Sequence, residues 1–276
     1  MQRLSSSLKE QGKKIGLVPT MGFLHEGHLS LVDMAKKSSD VVVVSIFVNP
    51  TQFGPDEDYN RYPRDLVRDK KLLRERGVDI LFIPTVKDMY PNGYTTYVEV
   101  EKLSSVLCGR SRPTHFRGVT TVVAKLFNIV KPDIAVFGEK DAQQAIIIKR
   151  MVRDLNFPIK IIIGPTIREK DGLAVSSRNT YLSEDERKDA PILYQALLLA
   201  KNLIENGERD VNKIISSMKK LIQKKGSAKI EYISIVRKDT LEPIRWIQGE
   251  VLIALAVWFG KARLIDNITM KGGIKA

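Results

Sequence analysis

The chain has 276 residues, 43% apolar side chains and a formal net charge of +13, which is enough for ordinary cores in one large domain or two smaller ones. No apolar stretch reaches the roughly 20 residues of a membrane helix, and Met1-Gln2-Arg3-Leu4-Ser5-Ser6-Ser7 lacks a signal-peptide core, so no membrane partner and a cytoplasmic location are expected. The lone cysteine, Cys108, excludes an intrachain disulfide, and the basic residues are interleaved with Asp and Glu, as in 64–76 and 184–188. That mixing favours attraction of small anionic substrates over a nucleic-acid partner.

In chain order, Lys14-Ile15-Gly16-Leu17-Val18 is a short apolar run closed by Pro19. Leu29, Leu31, Val32 and Ala35 follow at helical spacing, predicting a helix over about 28–38. Between them lies Met21-Gly22-Phe23-Leu24-His25-Glu26-Gly27-His28, a strand-to-helix turn. The first N–H groups of a helix lack intrahelical partners and carry the positive end of its dipole, so an anion is welcome there. Gly22 and Gly27 keep the turn free of Cβ atoms, and His25 and His28 fall on one helical face. Further apolar, β-branched runs at 41–48, 79–83, 134–137 and 159–163 alternate with helical patterns at about 65–76, 119–131 and 141–155. Such runs suit strands covered on both faces, and the alternation predicts an α/β fold with a doubly wound, Rossmann-like parallel sheet.

From Ser183 the pattern changes. Ser183-Glu184-Asp185-Glu186 has capping-box form and opens one long helical stretch to about 205, followed by a helix over about 210–225. Alternating runs at 229–236, 251–259 and 263–268 read as antiparallel strands. The expected organisation is a nucleotide-binding domain over 1–179 and a smaller α+β domain over 180–276, with a hinge in 168–172.

In an open α/β sheet, ligands bind beyond the carboxyl ends of the strands. The polar segments fall there: 21–28 after the first strand, Asn49-Pro50-Thr51-Gln52-Phe53-Gly54 after the second, Gly138-Glu139-Lys140-Asp141-Ala142-Gln143-Gln144 after the fourth, Pro165-Thr166-Ile167-Arg168 after the last, then Val175-Ser176-Ser177-Arg178-Asn179. Lys140 and Arg178 offer fixed positive charge, and Ser176 and Ser177 offer hydroxyls for phosphate oxygens. Gln52 and Gln144 offer amides suited to a small polar acid, and Asp141 and Asp69 are candidate magnesium or second-substrate partners. Taken singly, each of these residues reads better as part of a solvated loop or cap; their joint placement on one rim is what makes a site. His25 and His28 could also form half of a metal site, but His115 and Cys108 are the only other His or Cys available. A zinc site would therefore need carboxylates from elsewhere. P-loop, dinucleotide-fingerprint and nucleophile-elbow motifs are missing, which favours stabilising charge on a transferring nucleotide over a covalent enzyme intermediate.

Pro19-Thr20-Met21-Gly22 with Leu24-His25-Glu26-Gly27-His28 resembles the HIGH-type signature of the nucleotidyltransferase superfamily, shared with class I aminoacyl-tRNA synthetases. Taken with Val48-Asn49-Pro50-Thr51-Gln52-Phe53, Tyr62-Pro63-Arg64, His115-Phe116-Arg117-Gly118-Val119, Phe137-Gly138-Glu139-Lys140-Asp141, Gln143-Gln144 and Asp171-Gly172-Leu173-Ala174 with Ser176-Ser177-Arg178-Asn179, the chain closely resembles the pantothenate synthetase (pantoate–β-alanine ligase) family over 15–182.

The resemblance implies an ATP site along Met21, Gly22, His25, Gly27 and His28, completed by Gly138, Glu139, Lys140, Asp141, Ile167, Val175, Ser176, Ser177 and Arg178. Catalysis would fall to His28, in the position of a catalytic acid, with His25, Lys140, Ser176 and Arg178. Gln52 and Gln144 match pantoate-binding glutamines, and Asp69 aligns with an acidic position linked to magnesium or β-alanine. Ile167 stands where valine is frequent and Val175 where methionine or leucine is common, so small affinity changes are expected. The resemblance further implies ATP with Mg2+, the substrates pantoate and β-alanine, a pantoyl adenylate, release of AMP and pyrophosphate, and a homodimer. Two other readings are a HIGH-motif nucleotidyltransferase acting on a phosphate acceptor, which should show extra Arg or Lys where Gln52 and Gln144 stand, and an RNA-binding protein with a synthetase-like fold, which should bind RNA with strong salt dependence.

Overall fold

The computed structural model describes residues 1–55 and 57–272. The chain divides into two compact units, Met1–Thr166 and Ile167–Ala276.

The first unit opens with a helix absent from the expectations, α1 (Gln2–Glu10), followed by β1 (Ile15–Thr20), α2 (Glu26–Lys36), β2 (Val41–Ile46), α3 (Leu66–Glu75) and β3 (Ile80–Phe82). Two short helices, α4 (Val86–Met89) and α5 (Cys108–Ser111), punctuate an irregular stretch. The unit then closes with α6 (His115–Val130), β4 (Ile134–Gly138), α7 (Ala142–Asp154) and β5 (Lys160–Gly164). The five strands are parallel in the order β3-β2-β1-β4-β5, as the doubly wound expectation requires.

Both faces of this sheet are covered, which is why its strands read as continuous apolar runs. On one face Ile15, Leu17, Val43, Ala135 and Phe137 pack with Val119, Val123, Phe127 and Val130 of α6 and with Ile148 and Met151 of α7. On the other, Val18, Val42, Val44 and Val136 pack with Leu29, Leu31, Val32 and Ala35 of α2 and Leu73 of α3. Strand order reverses between β1 and β4, and their recorded pairing covers only Gly16 and Leu17 against Ile134 and Ala135. The two strands part toward their carboxyl ends, where a doubly wound sheet leaves its crevice.

The second unit contains α8 (Glu184–Asp189), α9 (Ile192–Glu205), α10 (Val211–Ile222) and an antiparallel sheet of β6 (Ala228–Arg237), β7 (Gly249–Phe259) and β8 (Ala262–Gly272) in sequence order. Ala196, Leu197, Ala200, Ile214 and Met218 pack against Ile233, Ile235, Ile253, Leu255 and Val257. The single helix expected over 184–205 is two helices. Pro191 lacks an N–H and its ring clashes with the preceding turn, so one helix ends at Asp189 and the next takes Pro191 as its N-cap.

The division at 166/167 precedes the expected 179/180 for a similar local reason. Segment 168–174 is a hairpin closed by a bridge between Arg168 and Ala174 and turned at Gly172, φ +93°. Arg168 donates to Asp266 of β8 at 2.6 and 2.9 Å, and its guanidinium lies 3.9 Å over the Tyr194 ring of α9. The segment expected to be a hinge is therefore a closed hairpin belonging to the second core.

Candidate active site

The turn between β1 and α2 is held from beneath. Gly22 has φ +80° and Phe23 φ +51°, a conformation L-residues adopt reluctantly. Both oxygens of Asp69, on α3, accept backbone N–H groups of this turn, from Phe23 and Leu24 at 2.7 Å each. Asp69 is only 1% exposed, and burial outweighs those two bonds in raising its pKa. Its observed work is thus to anchor the turn. Gly22 leaves the room: a Cβ there would lie 3.1 Å from an Asp69 oxygen and 3.0 Å from Ile46.

Past the turn, His25 caps α2 in extended conformation. The His25 and His28 rings lie 4.0 Å apart, tilted by 30°. A Cβ at Gly27 would sit 3.0 Å from the His25 ring, so glycine permits this stacking. Burial lowers the His25 pKa to about 4, helped by Lys140 and Arg68 and opposed by Asp141. The His28 pKa is also pushed well below its ordinary value, by burial first and then by His25 and Lys140. Both imidazoles are therefore neutral at pH 7. The backbone N–H of His25 points at His28 Nδ1 at 3.4 Å, a long bond that assigns the His28 proton to Nε2 and makes that atom a donor. Glu26, the one carboxylate in the motif, is held by Arg76 at 3.0 Å.

Lys140 and Asp141 follow β4, directly across the strand-order reversal from this turn. Lys140 lies 3.6 Å from Asp141 and acts electrostatically on both histidines. Gly138 ends β4, and the short 3-10 turn Glu139–Asp141 leads into α7. The start of α2, the two imidazoles and the lysine thus share one end of the sheet, an arrangement suited to a polyanion.

Gln52 follows β2 in a 3-10 turn, Pro50–Gln52, and is 8% exposed. Its support includes residues to which sequence reasoning gave no role. Asn49 Oδ1 accepts from the hydroxyls of Tyr90 at 2.8 Å and Thr51 at 2.9 Å, while its Nδ2 donates to the Gly118 carbonyl at 3.1 Å and to Gln52 Oε1 at 3.2 Å. With Asn49 fixed in that sense, Gln52 must use Oε1 as acceptor and turn its NH2 group the other way, toward Met21 Sδ at 2.9 Å. Gln52 is thereby set to donate. Its backbone carbonyl accepts from Arg112 at 3.2 Å and lies 2.9 Å from His115 Nδ1; Arg112 is ion-paired with Glu57. Asn49 and His115 stood in segments quoted from the sequence, but only the tertiary fold gives them partners. Gln144, in the first turn of α7, is half-buried and its side chain makes no hydrogen bond among the described residues.

The remaining expected residues lie in the second unit. Val175 N–H donates to the Ile167 carbonyl at 3.0 Å across the base of the hairpin. Ser176 caps the 3-10 turn Ser177–Tyr181, its Oγ accepting the Arg178 N–H at 3.4 Å, and Ser177 is buried. Among the described residues, no group of three or more His, Cys, Asp or Glu side chains could hold a metal ion, and no helix is long and apolar enough to cross a membrane.

The family model for pantoate-beta-alanine ligase matches residues 1–269. The chain belongs to this family. It is 59% identical to the pantothenate synthetase of Caldicellulosiruptor saccharolyticus, covering 98% of this chain and 96% of the relative. It is also 59% identical to that of Moorella thermoacetica, over 96% and 94%. The crystal structure of the Thermus thermophilus pantothenate synthetase superposes with a TM-score of 0.90 at 48% identity, covering 96% of each chain. A Francisella tularensis pantoate-beta-alanine ligase, crystallised with beta-gamma ATP and beta-alanine, gives 0.78 at 39% identity over 97% and 93%. As a member of the family, the chain is a ligase that joins pantoate to β-alanine.

Proposed function

We propose that this ligase works by adenylation, with the nucleotide at the β1–α2 turn and the acid beside Gln52 and Gln144. The observation that carries the reading is the pair of neutral histidines at the start of α2, with Lys140 acting on both from the neighbouring strand end. The Francisella relative's ligands, an ATP species and β-alanine, support ATP and β-alanine as this chain's substrates.

In the first step the pantoate carboxylate, ionised at neutral pH, attacks the α-phosphorus of ATP and expels pyrophosphate. Lys140 and the N–H groups of His25 and His28 offset the charge growing on the phosphates. In the family's pattern Ser176, Ser177 and Arg178 serve the same phosphates, with Met21, Gly22, Gly27, Gly138, Glu139, Asp141, Ile167 and Val175 lining the nucleotide. Gln52, set to donate, and Gln144, with its amide uncommitted among the described residues, read the carboxylate and hydroxyls of pantoate. β-Alanine then attacks the acyl carbon, and AMP leaves with the former carboxylate oxygen. Each Asp69 oxygen holds a backbone N–H of the turn and the residue is 1% exposed, so this carboxylate fits an anchor of the turn and not a magnesium ligand, and Mg2+ would arrive with the nucleotide as MgATP. A homodimer and a cytoplasmic location belong to the same proposal on the family resemblance.

The test is pantoate labelled with 18O in both carboxylate oxygens. One label must appear in AMP and one in the pantothenate amide. Label in inorganic phosphate, or none in AMP, would sink the adenylate route.

A further inference from the structure

We infer that Gln143 is a positioning residue that braces the two glutamine-bearing walls of the acid pocket against each other. The inference rests on the reading of Gln52 and Gln144 as the pantoate contacts.

Gln143 lies in the first turn of α7, one residue before Gln144, and is 7% exposed. Its carboxamide is almost fully committed to one segment. Oε1 accepts the Cys108 N–H at 3.1 Å, and Nε2 donates to the carbonyls of Leu103 at 3.0 Å and Val106 at 2.7 Å. Only a side chain that both donates twice and accepts can make this set, and only glutamine does so at this length.

The clamped segment does not hold its shape by local preference. Lys102 has φ +64° and Leu107 φ +49°, conformations that persist where the surroundings over-determine them. Gly109 packs so closely that a Cβ would fall onto the Ser104 carbonyl. The segment runs directly through α5 into Arg112 and His115, whose side chains meet at 3.2 Å and both reach the Gln52 carbonyl, at 3.2 and 2.9 Å. Gln143 is therefore one residue from one pantoate contact and one short helix from the groups that hold the other. Slackening it should loosen both walls while leaving the β1–α2 turn, fixed by Asp69, in place.

The test is pyrophosphate exchange into ATP, with pantoate and ATP varied separately, for the wild type, Gln143→Met, Gln143→Glu and Gln143→Asn. Methionine removes all three bonds at similar volume, glutamate removes both donors, and asparagine keeps the amide one methylene short. The expected result is a rise of at least about tenfold in the pantoate KM with the ATP KM within about twofold, since ångström-scale misplacement of a binding group has effects of this order. Hydrogen exchange at the Cys108 amide should accelerate in Gln143→Met. Loss of three buried hydrogen bonds lowers the melting temperature on either reading, so the KM values decide: a brace for the whole unit would instead move both KM values together or neither, and that result overturns the inference. If the longer variants fail to fold, Gln143→Asn must show the same pantoate-selective rise, and its absence counts against the proposal. Exchange in the wild type that ignores pantoate would defeat the underlying reading instead. Pantoate-dependent exchange with unselective Gln143 variants would defeat this inference alone.

Discussion

Replacing Gly118 by alanine sets two calculable effects against each other. Gly118 lies inside α6, where alanine should gain about 1 kcal/mol of helix propensity. A Cβ there, however, would sit 2.5 Å from the Thr51 carbonyl carbon and 2.7 Å from Gln52 Cα. These are backbone atoms of the turn that carries Gln52, so no side chain can rotate away, and relief requires α6 and the turn to separate by roughly 0.5–1 Å. Overpacking of this kind costs about 1–3 kcal/mol. Straining the Asn49 bond to the Gly118 carbonyl, 3.1 Å long, adds about 1 kcal/mol. Destabilisation wins, by about 1–3 kcal/mol after the helix gain is subtracted. A shift approaching 1 Å at Gln52 should also lower kcat/KM for pantoate by up to about 10²-fold. Thermal unfolding and steady-state kinetics with pantoate varied measure both. An alanine variant that melts higher than the wild type and keeps its pantoate KM would show that α6 does not press on the Gln52 turn in this way.

Other outcomes follow from the same geometry. On the proposed adenylation, His28 and Lys140 each supply a contact made mainly as charge develops on the phosphates, so His28→Ala and Lys140→Ala should each lower the rate of pyrophosphate exchange by at least about 10²–10³-fold; exchange within a few-fold of wild type would remove that residue from the chemistry. Asp69→Asn replaces one acceptor of the Phe23 and Leu24 N–H groups with a donor facing them, at a cost of about 1–3 kcal/mol; the melting-temperature drop should be the same with and without magnesium, and a drop that magnesium reverses would restore a metal role. With the His25 pKa lowered from 6.5 to about 4 and that of His28 lowered as well, the unfolded chain binds protons that the folded one refuses. Stability is thus full above pH 6.5 and falls as pH drops from there toward 4, by up to about 3 kcal/mol from His25. Proton NMR of the ring resonances should find His25 neutral at pH 5.5, whereas titration near 6.5 would contradict the buried, lysine-facing environment.

The strands of the first unit were legible because burial on both faces leaves an unbroken apolar run, as in 41–48, although the ladder itself stops at Ile46. The His25–His28 turn was legible because an apolar run closed by Pro19 precedes it and Leu29, Leu31, Val32 and Ala35 follow at helical spacing. What stayed hidden depends on partners far along the chain. Helix α1 is a short polar segment whose support comes from the Lys9–Asp133 ion pair at 2.5 Å and from Met1 and Leu8 packing on the core. Asp69 read as a magnesium or second-substrate partner because nothing near it in sequence needs an acceptor; its actual partners, Phe23 and Leu24, lie more than forty residues away and are brought to it by the fold. Asn49 sets the sense of the Gln52 amide only because α6 offers the Gly118 carbonyl. The break at Pro191, by contrast, was written in the sequence, since proline cannot sit inside a helix.

In the proposed mechanism the two neutral histidines and Lys140 carry adenylation of an acid held by Gln52 and Gln144. Pyrophosphate exchange into ATP, with pantoate present and β-alanine absent, tests it most directly. Exchange should be rapid, saturate with pantoate and vanish without it, and exchange that is absent, or that proceeds equally well without pantoate, would rule the adenylate route out.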